Sequence, residues 1–302
     1  MRQTTQGMLF RKAKDTCRRS NRTLYMLTYL FPKEKRAPTF FLYYYFSTID
    51  DMVDENGLSK SAILRLINNK RKRMNQLFSG IIPKNMDDTD IALYNFIGWN
   101  PVVAAGVRPH LEKLLDVIEF DSKHKNRTIS YKDMINYCHM AGGSPFFIFT
   151  SFIDQRINAA TKEKIAYTFG TGIQLTNNLR DFVEDSRMRS AKITSDETAK
   201  FHLNNSIIEN NSELKEFARQ RAEEAEQFLN MGRKYIKEAP SLTLKFSLAI
   251  WRWRYLYILK KIQMRDYDLF ADYKKSSLSE IMASVLILSK ELSFAFKAAL
   301  KP

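Results

Sequence analysis

Apolar residues recur every three to four positions along most of this chain, and strict apolar/polar alternation is scarce. KEFARQRAEEAEQFLNMGRKYI shows the helical period clearly. Pro32 and Pro38 bracket a short turn, after which the pattern predicts a helix over about 39–55, stopping at Asn56-Gly57. A second is predicted over 59–78, ending at Ser79-Gly80. Residues 81–110, with Pro83, Gly98, Pro101, Gly106 and Pro109, read as short broken pieces. Helices resume near 110–122 and 130–139, and Ala-Gly-Gly-Ser-Pro at 141–145 reads as a kink or close-packing site. The period persists over 160–186 despite Gly170 and Gly172. The polar, Asn/Ser-rich stretch 187–212 reads as a loop or frayed helix, before three long helices near 213–237, 241–266 and 277–299. With no internal repeat and no low-complexity linker, the expectation is one all-α domain over residues 1–302.

Composition narrows this picture. At 302 residues and 44% hydrophobic, the chain can bury a large core. Cys17 and Cys138 are its only cysteines, which argues against a disulfide framework or a thiolate metal cluster and suits a reducing cytosol. The N-terminus is basic without the apolar run of a signal peptide. No stretch of ~20 uncharged apolar residues predicts a membrane span. The longest candidate, IMASVLILSKELSFAF, is interrupted by Lys290 and Glu291; it either caps the core or lies at a membrane interface. The expected location is the cytoplasm, with peripheral membrane contact as one option. A net charge of +15 calls for an anionic partner: nucleic acid, a phosphorylated substrate or a membrane surface. The densest run, NNKRKRMN at 68–75, reads as a solvated helix end, and no nucleic-acid module accompanies it.

The chemistry concentrates in two places. FSTIDDMVDE at 46–55 sets Asp50, Asp51, Asp54 and Glu55 beside the aromatic run FFLYYYF. Burying such acids is costly unless something positive neutralises them. Asp50 and Asp54 share a helix face, with Ser47 and Tyr43 one and two turns earlier. In GTGIQLTNNLRDFVEDS, Gln174, Asn178, Asp181 and Asp185 form a second stripe with Asn177 at its edge. Two such carboxylate pairs suit a hard cation: Mg²⁺ takes oxygen ligands, keeps several waters and commonly bridges to substrate phosphates. An Mg²⁺–diphosphate cluster is then the neutralising partner, and Tyr43, Tyr44, Tyr45, Phe146, Phe147, Phe149 and Tyr255 are candidates to line an apolar pocket and stabilise a carbocation. Acidic helix ends and core aromatics are common on their own; the pairing gives the pattern its weight.

In order along the chain, TLYMLTYLFP (23–32), YYYFSTIDDMVDE, YCHMAGG (137–143), GIQLTNNLRDFVED and YLYILKKIQMRDYDLF (255–270) resemble the motifs of the squalene/phytoene synthase family. The resemblance implies an isoprenoid-synthase helical bundle around a central cavity. It implies Mg²⁺–diphosphate binding by Asp50, Asp54, Asp181 and Asp185, with Asp51 and Asn177 added to the metal-ligand candidates. It puts Tyr43, Gln174, Asn177, Arg180 and Tyr255 at or near a prenyl diphosphate substrate. Family members ionise an allylic diphosphate and join two such molecules head-to-head through a cyclopropyl intermediate, which some reduce with NADPH; nothing in this sequence supports an NADPH site.

Three positions depart from the family pattern. Ser47 stands where an arginine is usual, RMRSAKIT replaces Gly-Arg-x-Tyr-x-Pro, and Tyr273 falls near the place of a late arginine. Arginine grips phosphate bidentately, which neither serine nor tyrosine reproduces. Arg187, Arg189, Lys192, Lys274 and Lys275 are the nearby candidates to replace that charge. Head-to-head coupling is therefore the leading expectation, a single-substrate terpene cyclase the second, and a non-catalytic assembly or lipid-binding protein the third.

Overall fold

The structure, a computed structural model, describes residues 2–55, 58–125, 127–203, 211–273 and 275–300, excepting the side chains of 2–6, 54 and 55. Among them the only extended pairing is an isolated bridge between Ile129 and Thr194; the rest of the regular structure is helical. The chain forms two compact units, Met1–Lys123 with Ser151–Ile153, and His124–Thr150 with Asp154–Pro302.

The first unit holds α1 (Arg2–Ser20), α2 (Arg22–Thr28), α3 (Lys33–Glu55), α4 (Lys60–Phe78), α5 (Asp88–Trp99) and nearly all of α6 (Pro101–His124). Leu9, Ala13 and Cys17 of α1 pack with Phe40, Phe41 and Tyr44 of α3 and Ala92 of α5. Two expectations about prolines fail. α3 starts before Pro38, and α6 runs unbroken through Pro109. A helical proline orphans the carbonyl four residues earlier. Here those carbonyls belong to Glu34 and Ala105, both exposed, so water can satisfy them. The basic run at 68–75 is also not a solvated end. It lies within α4, where buried Lys70 bonds Asp87 (2.6 Å), Thr89 (2.6 Å) and Asp90 (3.1 Å). Arg71 pairs with Asp116 and Glu119, and Arg73 with Asp90. These acids arrive from α5, its cap and α6, beyond the reach of a local charge pattern.

The second unit holds α7 (Tyr131–Cys138), most of α8 (Ser144–Ile153), α9 (Ala159–Ile165), α10 (Thr171–Arg180), α11 (Phe182–Arg187), α12 (Ser195–Phe201), α13 (Ser212–Glu238), α14 (Leu242–Met264) and α15 (Leu278–Leu300). A π-helical turn over His139–Gly143 links α7 to α8, and another over Ala166–Gly170 links α9 to α10. The two turns meet at their glycines: a Cβ on Gly142 would lie 2.0 Å from the Gly170 carbonyl oxygen. The expected close-packing site at 141–145 is there, backbone on backbone.

Residues 187–203 are more ordered than expected, while 204–210 lie outside the described residues. Ile129 N–H donates to Ile193 O (3.2 Å), and Ser195 N–H donates to Ile129 O (3.0 Å). Ile193 is fully buried. Thr194 and Glu197 form a reciprocal cap on α12, and Glu197 also pairs with Arg221 of α13. That Thr-x-x-Glu signature was present in the sequence and would have located the helix.

Candidate functional site

In the first unit, α3 lines up Tyr43, Ser47, Asp50 and Asp51, and its last turn carries Asp54, whose side chain lies outside the described residues. Asp50 and Asp51 are exposed; Tyr43 and Ser47 are half-buried. The Tyr43 hydroxyl bonds to both Ser47 and Ser20, the last residue of α1. Burial pushes that hydroxyl up to about 12, with the thiol of Cys17 and, more weakly, the Asp51 charge adding to it, so Tyr43 stays protonated and can donate. Tyr44 and Tyr45 do not share this face. Tyr44 sits in the core with Lys12 5.5 Å from its ring centroid. Tyr45 is fully buried, and burial, then Asp90 and Asp87, pushes its hydroxyl far up. Both are core residues rather than pocket lining.

The second unit builds its group from α10, α11 and α14. The glycine contact between the π turns draws α10 against α7, so that Asn178 Nδ2 donates to Cys138 Sγ at 3.7 Å while accepting from Gln174 Nε2 at 2.9 Å. Asn178 is thereby turned inward and leaves the acidic stripe. Burial pushes the Cys138 thiol up to about 12, leaving it an uncharged acceptor here rather than a nucleophile. Helix α10 is capped by Asp181, whose ψ of 3° breaks the regular turn before α11. The break keeps the two acids one turn apart, because Asp185 N–H donates to Asp181 O at 2.8 Å. Arg180 forks onto the Asp181 carboxylate through Nε (2.7 Å) and Nη2 and lies within electrostatic reach of Tyr255 and Asp185.

Beside these polar groups runs an aromatic cluster only part of which was visible in the sequence. Phe146 stacks on Phe169 (centroids 5.8 Å, 6°) and meets Trp251 edge-on at 5.6 Å. Phe149 also meets Trp251, which stacks on Tyr255 at 6.0 Å. Phe169 and Trp251 carried no local signal; helix–helix packing places them.

Of the residues at the departures, Tyr273 donates its hydroxyl to Asp268 O (2.7 Å), and the Arg265 guanidinium lies 5.0 Å from its ring centroid, so it braces its own loop. Lys192 Nζ donates to Ser190 O (2.8 Å) and lies 4.9 Å from the Tyr137 ring centroid. Arg187 and Arg189 are exposed. Lys274 lies outside the described residues.

Among the described residues no three His, Cys, Asp or Glu side chains converge as a metal site. The available donors still suit Mg²⁺. They are all oxygens, and Mg²⁺ needs few protein ligands when waters and phosphates complete its shell. The Oδ1 atom of Asn177 is buried without a protein partner, a state that calls for a ligand.

A sequence model of squalene/phytoene synthases matches residues 17–281. The chain belongs to the squalene/phytoene synthase family. It is 27% identical over 270 residues to phytoene synthase 3, chloroplastic, of Zea mays, covering 86% of this chain and 61% of that protein. It is 25% identical over 283 residues to 15-cis-phytoene synthase of Synechococcus elongatus, covering 86% of each. The chain thus spans about six- to seven-tenths of the length of the plant relatives it matches. A dehydrosqualene synthase crystal structure superposes with a TM-score of 0.78 at 20% identity, covering 97% of this chain and 99% of that one, which establishes the shared fold.

Proposed function

We propose that this family member is an Mg²⁺-dependent isoprenoid synthase that ionises allylic prenyl diphosphates, joins two of them head-to-head and releases pyrophosphate. One observation carries the reading: two Asp-x-x-x-Asp pairs, each with polar neighbours on its own face, stand in family order within the matched span. In this proposal the two units serve as one catalytic domain. Asp50, Asp51, Asp54, Asn177, Asp181 and Asp185 hold Mg²⁺, and Tyr43, Gln174, Asn177, Arg180 and Tyr255 contact substrate. Bound Mg²⁺ would supply charge neutralisation for the diphosphate and its leaving group. The chain's own contributions are distinct. Tyr43 offers a neutral hydroxyl donor, and Arg180 is a permanent cation already oriented by Asp181. Phe146, Phe149, Trp251 and Tyr255, backed by fully buried Phe169, offer apolar side chains for a prenyl chain and π faces that favour a carbocation. NADPH has no part in the proposal. The same reading places the enzyme in the cytoplasm, peripheral to a membrane; among the described residues no helix is long and apolar enough to cross one.

A class I terpene cyclase acting on one diphosphate is the alternative. It is favoured by Ser47 and by Tyr273, whose hydroxyl is spent on its own loop. The test incubates purified protein with Mg²⁺ and prenyl diphosphates of several lengths, reading product mass and pyrophosphate. A product with the carbon count of two substrates supports coupling, and one with the count of a single substrate supports the cyclase. No metal-dependent pyrophosphate release would overturn both.

A further inference from the structure

The last helix turns its carboxylates inward and its grease outward. Glu280 and Glu291 of α15 are each 3% exposed, paired with Arg265 and with Arg252 of α14. The Ser284 carbonyl also accepts from Trp253 Nε1 at 3.0 Å. Meanwhile Leu278, Ile281, Met282, Val285, Leu286 and Phe296 are between 48% and 74% exposed. At about 100° per residue they fall on one stripe along a helix about 34 Å long. Single exposed apolar residues need no explanation, but five within Leu278–Leu286, with Phe296 on the same face beyond exposed Ser289 and Ser293, mark an interaction surface.

The charges around the ridge identify the partner. With both glutamates internal, the exposed charged side chains of α15 are Lys290 and Lys297, on one flank of the stripe. On that flank Arg233 and Lys237 of α13 stand 4.1 and 5.3 Å from the ring centroid of Phe294. A two-fold pairing with a second copy would bring two cationic patches together with no exposed acid on either α15 to offset them. An anionic lipid surface instead receives the apolar ridge below and the cations at its headgroups. The family match ends at residue 281, so most of the ridge lies beyond the matched segment.

We propose that α15 docks the protein on an anionic membrane, its axis parallel to the bilayer plane, with the Leu278–Phe296 ridge inserted and Lys290 and Lys297 reaching phosphate. This deepens the peripheral contact proposed above, and because binding and turnover are read separately, failure of one is distinguishable from failure of the other.

The test uses the full chain with phosphatidylcholine vesicles, with and without phosphatidylglycerol, at low and high salt. Wild type should co-sediment with the anionic vesicles and lose that binding in high salt or on neutral vesicles. Val285→Asp/Leu286→Asp should abolish sedimentation, and Lys290→Glu/Lys297→Glu should weaken it about tenfold or more. A second readout leaves the ridge almost intact: Cys17 and Cys138 are both buried, so Leu286→Cys creates one labelling site. An environment-sensitive dye there should shift to the blue on anionic vesicles. No sedimentation at low salt, no blue shift, or a stable dimer that stays off the vesicles would each overturn the proposal. Pyrophosphate release without vesicles reports on the chemistry alone.

Discussion

Gly142→Ala tests whether the glycine contact between the π turns sets the position of α10. The new methyl would meet the Gly170 carbonyl oxygen at 2.0 Å, its carbon at 2.7 Å and Gln174 Cβ at 3.1 Å. The first two are backbone atoms of the opposing turn and have no rotamer into which to retreat. The turns must part by about 1.4 Å to raise that contact from 2.0 to the 3.4 Å of ordinary packing. Overpacking of this kind costs ~3 kcal/mol. For a chain of 302 residues that corresponds to a fall in Tm of about 5 °C. Moving α10 by about an ångström also displaces Asn177 and Asp181, and misplacement on that scale costs ~10² in rate. Gly106→Ala is the matched control. Gly106 is an exposed position of α6 with nothing within 4 Å of a built Cβ, so alanine should stabilise by about 0.5–1 kcal/mol. Scanning calorimetry on both variants, with pyrophosphate release measured on each, checks the pair. A Gly142→Ala protein that melts within about 2 °C of wild type and retains its rate would refute the close-contact argument.

Asp50→Asn and Asp181→Asn should each lower metal-dependent turnover by ~10²–10³ at unchanged fold, because ~3–4 kcal/mol of charge stabilisation is lost; rates within a few-fold of wild type would remove these residues from the metal assignment. Ser47→Arg restores a cation on the Tyr43–Asp50 face and should shift product towards the two-substrate mass; an unchanged product distribution shows that this position does not limit the second diphosphate. Hydrogen bonds from Arg265 hold the Glu280 carboxyl at about 2, against the opposing cost of burial. A depressed carboxylate contributes stability that is present above its ordinary value of 4.5 and is lost as pH falls towards 2. Tryptophan fluorescence during acid titration should therefore show a shallower loss between those limits for Glu280→Gln than for wild type, and superimposable curves would dissociate the pair from stability.

Much of the fold was legible because helix period and polar intrusion are local signals. The three C-terminal helices fell within two residues of expectation, helped by the capping residues Asn211 and Ser241. The acidic positions stood out because carboxylates and amides occupied faces that otherwise carry apolar residues. What escaped was decided by partners distant in sequence. The exposure of Glu34 and Ala105 makes Pro38 and Pro109 tolerable, yet the prolines read as breaks. The acids that bury Lys70 lie 17 and 20 residues further on. Asn178 looked like a member of the acidic stripe until Cys138, 40 residues earlier, proved to be its partner.

The two π turns also fix how closely the helices that leave them approach. Each inserts one residue that an α-helix would lack. Deleting one residue within Ala166–Gly170 would restore regular winding and conserve every apolar and acidic residue of α10. Because the extra residue is absorbed within the turn, α10 would keep close to its phase and Asn177 and Asp181 their face, while the widened turn that sets Gly170 against Gly142 and Gly143 would be lost. Length at this point therefore governs how closely the two turns approach rather than which face α10 presents, and a homologue one residue shorter here should keep its acidic face while packing α10 differently against the turn over His139–Gly143.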